Sequence, residues 1–222
     1  MLDLPPLPSD FTPLDPEKPI EVYQRLLPHW RQDGATYAVT FRLADSLPKA
    51  KLDCLVRVAR SNSRLPKAKQ DERLRKSIEA YLDGGHGRCW LRRRDLTAEV
   101  LTSLRKFDGV RYHLFAAVVM PNHVHAVVRP VSESLEKSLN GIKAGSASRV
   151  LPSIDAKKPF WQRESYDRLV RDGEHLWRCV QYLGWNVRGF SDAERKWRTY
   201  VRPDWEAAGW GVRLDALPPP RR

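Results

Sequence analysis

The feature that most constrains the fold of this chain is the apolar stretch Leu114 to Val128, which is broken once by Pro121-Asn122. Two apolar runs joined by such a break are typical of two antiparallel strands with a tight turn. Side chains alternate along a strand, so His123 and His125 project from one sheet face and their neighbours from the other. Two imidazoles side by side on a sheet face are candidate metal ligands.

The charge of the chain favours a polyanionic partner. Its 222 residues include 39 Lys and Arg against 27 Asp and Glu, which gives a net charge of +12 and a pI near 9.9. Contacts between basic side chains and phosphates release condensed counterions. Eight tryptophans and seven tyrosines add surfaces on which unpaired bases can stack. Basic composition alone also fits proteins that never bind nucleic acid.

Cysteine usage and hydropathy predict a cytoplasmic protein with no membrane partner, and the basic charge is consistent with association with the nucleoid through DNA. Cys54, Cys89 and Cys179 are odd in number and far apart, so neither a disulfide framework nor a zinc site is indicated. The mean hydropathy is −0.56, and no apolar run approaches the roughly 20 residues of a membrane span. The first residues lack the basic start and apolar stretch of a signal peptide.

Hydrophobic periodicity predicts interleaved strands and helices. A Pro-rich, loosely ordered arm is expected over 1–27, a folded domain over 28–190, and a basic, Trp-rich tail over 191–222. Because the clearest strand pair is a hairpin, an α+β fold with an antiparallel sheet is favoured over a doubly wound one. The expected strands are 35–43, 166–171 and the pair at 114–128, and the expected helices are 51–59, 71–82, 96–107, 134–150 and 173–186.

The helix expected over 173–186 offers further functional side chains. Tyr182 and Asn186 stand four residues apart and share one helical face, so a phenol and an amide oxygen could approach the two imidazoles. A tyrosine is a competent nucleophile when a metal or cation stabilises its phenolate. His175, seven residues before Tyr182, is either a spare ligand or a partly exposed surface histidine. Lys143 either touches phosphate or is a solvated lysine.

Several motifs together resemble the HUH single-strand DNA transposases, and within them the REP-associated tyrosine transposases, which act on repetitive extragenic palindromes. The resemblance spans about 28–187, and its motifs follow the family's order. They are Pro28-His-Trp-Arg-Gln, Phe107-Asp-Gly, Val118-Val-Met-Pro-Asn-His-Val-His125 and Phe160-Trp-Gln-Arg-Glu-Ser-Tyr-Asp-Arg-Leu-Val-Arg-Asp172.

The resemblance implies a ferredoxin-like (RRM-like) antiparallel sheet with helices on one side. It implies that His123, His125 and Asn186 bind Mg²⁺ or Mn²⁺, and that Tyr182 cleaves single-stranded hairpin DNA through a 5′-phosphotyrosine. Tyr166, in the Trp-Gln-Arg segment, competes as nucleophile but lacks an amide partner at helical spacing. The expected oligomeric state is monomer or homodimer.

The end of the tyrosine helix departs from the family pattern. Gly184 lies inside it and should cost about 1 kcal/mol relative to Ala, and Val187 replaces the usual proline. These departures leave a second hypothesis open, a domesticated hairpin-binding protein that does not cleave.

The ligand set implied by the resemblance carries no formal charge. Hard divalent ions normally prefer at least one anionic oxygen, and no carboxylate or third histidine with suitable spacing is evident in the sequence. The scissile phosphate is therefore expected to supply the charge, which predicts weak metal binding by the free protein and tight binding only with DNA.

Overall fold

The structure, a computed structural model, describes residues 4–26, 28–61, 63–156 and 159–214. No helix within these ranges is both long and apolar enough to cross a membrane. The strands are β1 (Glu21–Gln24), β2 (Pro28–Arg31), β3 (Tyr37–Arg42), β4 (Tyr112–Val119), β5 (His123–Pro130), β6 (Tyr166–Leu169) and β7 (Thr199–Val201). The helices are α1 (Lys49–Arg60), α2 (Lys67–Asp83), α3 (Arg94–Arg105), α4 (Leu135–Val150), α5 (Gly173–Val187), α6 (Asp192–Arg198) and α7 (Pro203–Trp205).

The main sheet has five strands in the order β6-β3-β5-β4-β7, and every neighbouring pair is antiparallel. Without β7, the chain runs strand, helices, strand, strand, helix, strand, which is the β-α-β-β-α-β order of the ferredoxin-like fold. The predicted α+β, ferredoxin-like sheet is therefore confirmed. The sequence pattern missed β7, which the tail contributes at the sheet edge, and the separate β1–β2 hairpin.

Helices cover both faces of the sheet, so the expectation of helices on one side is wrong. One face carries Val39, Val124 and similar side chains, and it packs on the apolar stripes of α3 and α4. The other face packs on α5, whose Leu176, Val180 and Leu183 lie against Val127 of β5. Strand alternation places His123 and His125 on this second face, beneath α5.

The described part of the N-terminal arm is irregular and makes hydrogen bonds to the rest of the fold. Leu14 donates its N–H to the carbonyl of Val170 at 2.8 Å, and Thr36 donates to Thr12 at 2.8 Å. Prolines withhold backbone donors, yet the carbonyl of Pro6 accepts from the Trp210 indole at 2.8 Å. The described parts of the N-terminal arm and of the tail thus pack together beside α5.

The tail closes against the outer surface of α5. The Gln181 amide donates to the carbonyl of Gly211 at 3.0 Å and accepts from the N–H of Arg213 at 2.8 Å. Gly184 permits this approach, because a Cβ there would lie 2.5 Å from Val212 Cγ1 and 2.9 Å from the Arg213 carbonyl oxygen. The glycine that weakens the helix in isolation is therefore what lets the tail dock on it.

Candidate metal centre and tyrosine site

The β4–β5 turn brings two imidazoles into direct contact. His123 and His125 are 1% and 4% exposed, and their Nε2 atoms lie 2.9 Å apart. The rings are nearly perpendicular, with centroids 4.6 Å apart. The predicted side-by-side histidine pair is therefore present, on the face expected from strand alternation.

The other nitrogen of each ring has its own partner. His123 Nδ1 lies 2.7 Å from Asn122 Oδ1, and His125 Nδ1 lies 2.7 Å from Thr40 Oγ1 on β3. A hydroxyl can donate or accept, so Thr40 tolerates either tautomer of His125. With Nδ1 carrying the proton on both rings, both Nε2 lone pairs converge on one point.

Burial keeps both imidazoles neutral. Desolvation lowers the pKa of His125 to about 3, and it lowers the pKa of His123 well below its ordinary value, with the neighbouring ring adding to the effect. Because a metal ligand must offer a lone pair, neutral rings at physiological pH are ready donors. Two buried histidines without a charge of their own favour a ligand role over an ion pair.

A carboxylate also reaches this point, contrary to the expectation that the chain offers none. Asp83 is the last residue of α2, and its Oδ1 lies 3.8 Å from His123 Nε2. Its side chain remains 45% exposed. Partial burial of the Asp83 carboxyl raises its pKa to about 6, and the negative charge of Glu79 adds to the shift. The residue is 40 positions before His123, so sequence spacing gave no signal for it.

Asp83, His123 and His125 form a group that could hold a metal ion, since one ligand atom from each lies within 4.8 Å of the others. Within the described ranges it is the one such group of three or more His, Cys, Asp or Glu residues. Two ligands of an octahedral ion, each about 2.1 Å from it and 90° apart, are separated by about 3.0 Å. The observed 2.9 Å between the Nε2 atoms suits such an ion.

Tyr182 on α5 faces the histidine pair. Its ring meets the His125 ring edge-on, with centroids 5.4 Å apart. Burial raises the pKa of the Tyr182 phenol, the charges of Glu79 and Asp83 raise it further, and Asn186 and Arg75 oppose them. The helix face predicted to carry Tyr182 toward the imidazoles is therefore the one that meets them.

Tyr166, the competing tyrosine, shares the same sheet face but stands farther off. It pairs across β6 with Thr40, and Thr40 pairs across β3 with His125. Two strand spacings separate the backbones of Tyr166 and His125 by about 10 Å. Burial raises the pKa of the Tyr166 phenol to about 12. The direct ring contact of Tyr182 favours that residue as the nucleophile, which stays a prediction.

Asn186, the implied third ligand, is engaged within its own helix. Its Nδ2 donates to the carbonyl of Tyr182 at 2.8 Å, and its amide lowers the pKa of the Tyr182 phenol. The residue thus lies beside the tyrosine, as the four-residue spacing requires. Its role as a metal ligand stays a prediction.

A cavity of about 540 Å³ opens beside Tyr182 and His125. The lining includes one acidic residue, Glu79, and a larger number of cationic ones. The cationic residues are Arg75, Lys76, Arg168, Arg178 and Arg188. Trp185 also lines it, with the Arg188 guanidinium 3.1 Å from the centre of one of its rings. The cavity therefore combines positive charge with aromatic surface next to the phenol.

Two further candidates from the sequence lie elsewhere than expected. His175 is buried rather than a surface residue, and its Nδ1 accepts from the N–H of Arg171 at 3.1 Å. It lines the cavity but does not belong to the metal group. Lys143 is neither solvated nor turned to a phosphate path, because its ammonium donates to the carbonyls of Gln162 and Arg163. Both residues support the framework around the site.

Fold and site together define an α+β protein of ferredoxin-like topology, with a His-His-Asp group and a tyrosine beside it. No protein-family model matches the chain, and no curated protein matches it. A solved structure of a REP-associated tyrosine transposase bound to a REP hairpin aligns with 90% of this chain and 96% of that one, at 12% identity and a TM-score of 0.42. A likeness at this level says nothing about activity.

Proposed function

We propose that this protein is a metal-dependent single-stranded DNA endonuclease and strand transferase that cleaves hairpin DNA through a phosphotyrosine at Tyr182. The observation that carries the proposal is the contact between the Tyr182 and His125 rings at 5.4 Å, next to three potential metal ligands. A nucleophile beside a Lewis-acid site is the arrangement that phosphodiester transfer requires.

The chemistry follows from that arrangement. The Tyr182 phenol gives up its proton and its oxygen attacks phosphorus, the bond from phosphorus to the 3′ oxygen breaks, and that oxygen takes up a proton as a free 3′-OH. The 5′-phosphate stays esterified to the tyrosine, so rejoining reverses the steps without a nucleotide cofactor. A bound Mg²⁺ or Mn²⁺ would polarise the phosphate and stabilise the phenolate, which is needed because burial raises the pKa of Tyr182.

The substrate class rests on charge and shape. The net charge of +12 draws a polyanion, and the cationic, partly aromatic cavity beside Tyr182 suits a phosphate and an unstacked base. A duplex would not expose its bases to such a cavity. Single-stranded DNA at the foot of a hairpin satisfies both requirements.

A second candidate, a hairpin-binding protein that does not cleave, is favoured by the state of Tyr182 itself. Its side chain is half-buried, and desolvation raises the pKa of its phenol, so it is a poor nucleophile until a metal or phosphate changes its surroundings. The amide of Asn186 is meanwhile bonded to the helix carbonyl of Tyr182. Binding without cleavage would need only the cationic surfaces.

Covalent capture separates the two candidates. A labelled single-stranded hairpin with Mn²⁺ should give a protein–DNA adduct that survives denaturation, and Tyr182→Phe should abolish the adduct while leaving hairpin affinity within about twofold. Tyr166→Phe is the matched control, since it removes a second phenol facing the same cavity. Loss of the adduct in Tyr166→Phe alone would assign the nucleophile to that residue. Hairpin binding without any adduct would favour the second candidate.

A further inference from the structure

We infer that Asn122 assembles the metal site of the free protein: it fixes the tautomer of His123 and holds the end of α2 so that Asp83 is the third protein ligand. The metal then binds before DNA arrives. The inference deepens the metal dependence of the proposed function and so rests on it, but its test needs neither DNA nor cleavage.

The first step concerns the orientation of the Asn122 amide. Asn122 is completely buried, and its Nδ2 lies 3.1 Å from the carbonyl of Leu82 and 3.0 Å from that of His86. Carbonyls only accept, so both bonds require the NH₂ group at that end of the amide. Its Oδ1 therefore faces His123 Nδ1 at 2.7 Å, which must carry the proton. The lone pair of His123 is thereby fixed on Nε2, toward His125 and Asp83.

The second step concerns the position of Asp83. The carbonyls held by Asn122 lie on either side of the α2 end, at Leu82 and in the loop at His86. One amide from the β4–β5 turn therefore anchors the residue before Asp83 and the loop after it. Asp83 Oδ1 consequently stands 3.8 Å from His123 Nε2 while the side chain stays 45% exposed. Exposure on one side gives an ion a path from solvent.

The third step compares Asp83 with Asn186. Asp83 brings a negative charge to two neutral imidazoles, which is the oxygen ligand that a hard divalent ion prefers. Asn186 brings no charge and is bonded to its own helix at the Tyr182 carbonyl. With Asp83 present, the site needs no phosphate to acquire an anionic ligand. Metal loading then precedes DNA binding.

The experiment is Mn²⁺ titration of the DNA-free full chain by calorimetry, with thermal unfolding as the folding control. Asp83→Asn should weaken Mn²⁺ binding by about tenfold or more, and Asn122→Ala by about 10- to 100-fold, the range for residues that position ligands. Asp53→Asn removes an exposed carboxylate on α1 and should change nothing. Asn186→Ala should also leave the DNA-free affinity unchanged.

Contrary outcomes are specific. Unchanged affinity in Asp83→Asn, or loss in Asn186→Ala alone, overturns the inference, as does a wild-type chain that binds Mn²⁺ only with DNA. Should Asn122→Ala fail to fold, ¹⁵N NMR of the wild-type imidazoles decides its role: a proton on His123 Nδ1 supports it and a proton on Nε2 refutes it. Failure of Tyr182 to form an adduct would leave all these results standing.

Discussion

The ring of Tyr182 contacts the ring of His125 within one chain, edge to face, with centroids 5.4 Å apart. Strand β5 and helix α5 of the same chain therefore bring these two side chains together, and we expect Tyr182 to act in cis. The docked tail supports this arrangement, because Gln181 on the same helix holds the backbone of Gly211 and Arg213.

A mixing experiment tests whether Tyr182 acts in cis. Tyr182→Phe and His125→Ala should each fail to form the covalent adduct, and an equimolar mixture, incubated together before DNA is added, should fail as well. If Tyr182 acts in cis, the site of one variant lacks the Tyr182 hydroxyl and the site of the other lacks the His125 imidazole. Wild-type protein diluted with either variant should keep activity in proportion to its own concentration. Adduct formation restored by mixing would show that the two residues come from different subunits.

Thr40 is expected to support metal binding through His125. Its hydroxyl lies 2.7 Å from His125 Nδ1, so Thr40→Val leaves that nitrogen without its partner and the ring without the hydrogen bond that orients it. We expect the Mn²⁺ affinity of the free protein to fall about 10- to 100-fold. The matched control is Thr199→Val, because the Thr199 hydroxyl is buried without a hydrogen-bond partner among the described residues. Equal Mn²⁺ affinities of the wild type, Thr40→Val and Thr199→Val would contradict the expectation.

Gly184→Ala should destabilise the protein although alanine is the better helix former. The gain in helix propensity is about 1 kcal/mol, but the new Cβ would lie 2.5 Å from Val212 Cγ1 and 2.9 Å from the Arg213 carbonyl. Overpacking of this kind costs about 1–3 kcal/mol. We expect a net loss of about 1 kcal/mol in urea unfolding and faster proteolysis near the tail.

Gly145→Ala on α4 is the control for Gly184→Ala. A Cβ at Gly145 meets nothing within 4 Å, so only the helix propensity changes and the variant should gain up to about 1 kcal/mol. Stabilisation by both substitutions would mean that the tail does not dock on α5 in solution.

The pH dependence of stability should report on His29. Burial alone would lower the pKa of this histidine, but hydrogen bonds to Asp167 and Glu164 outweigh it and raise the pKa to about 9. A raised pKa stabilises the fold fully below the unfolded value, near pH 6.5, and the stabilisation is lost as the pH rises through about 9. Between pH 6.5 and 8 the contribution of His29 to the free energy of unfolding should fall by roughly 1.5 kcal/mol.

His29→Gln isolates that dependence. The unfolding free energy of the wild type, minus that of the variant, should fall by this amount between pH 6.5 and 8, while the lowered pKa values of His113, His123 and His125 act equally in both proteins. Measurement should stop at pH 8, because burial lowers the pKa of Lys143 to about 8 and its deprotonation then stabilises the fold in the opposite direction. Identical slopes for wild type and variant would show that His29 is not charged in the folded protein.

Local sequence patterns predicted the sheet and the histidine pair because both depend on short-range alternation. The same holds for Tyr182 and Asn186, whose shared face follows from helical spacing. Asp83 could not be found in this way, since its place beside His123 depends on long-range bonds from Asn122 to the end of α2. Strand β7 was not predicted for a similar reason, because it acquires its strand partner only from β4.

Arg168 is expected to contribute to DNA affinity by charge alone. It lines the cavity beside Tyr182, and no hydrogen-bonding or ion-pair partner is seen for its side chain among the described residues. One lost phosphate contact reduces the slope of log affinity against log salt by about 0.7 for single strands. Arg168→Ala should therefore weaken binding of a hairpin with a single-stranded overhang most at low salt.

The control is Arg73→Ala, which removes an exposed arginine outside the cavity lining and should leave the slope of log affinity against log salt unchanged. Equal slopes for wild type and Arg168→Ala would place the DNA elsewhere.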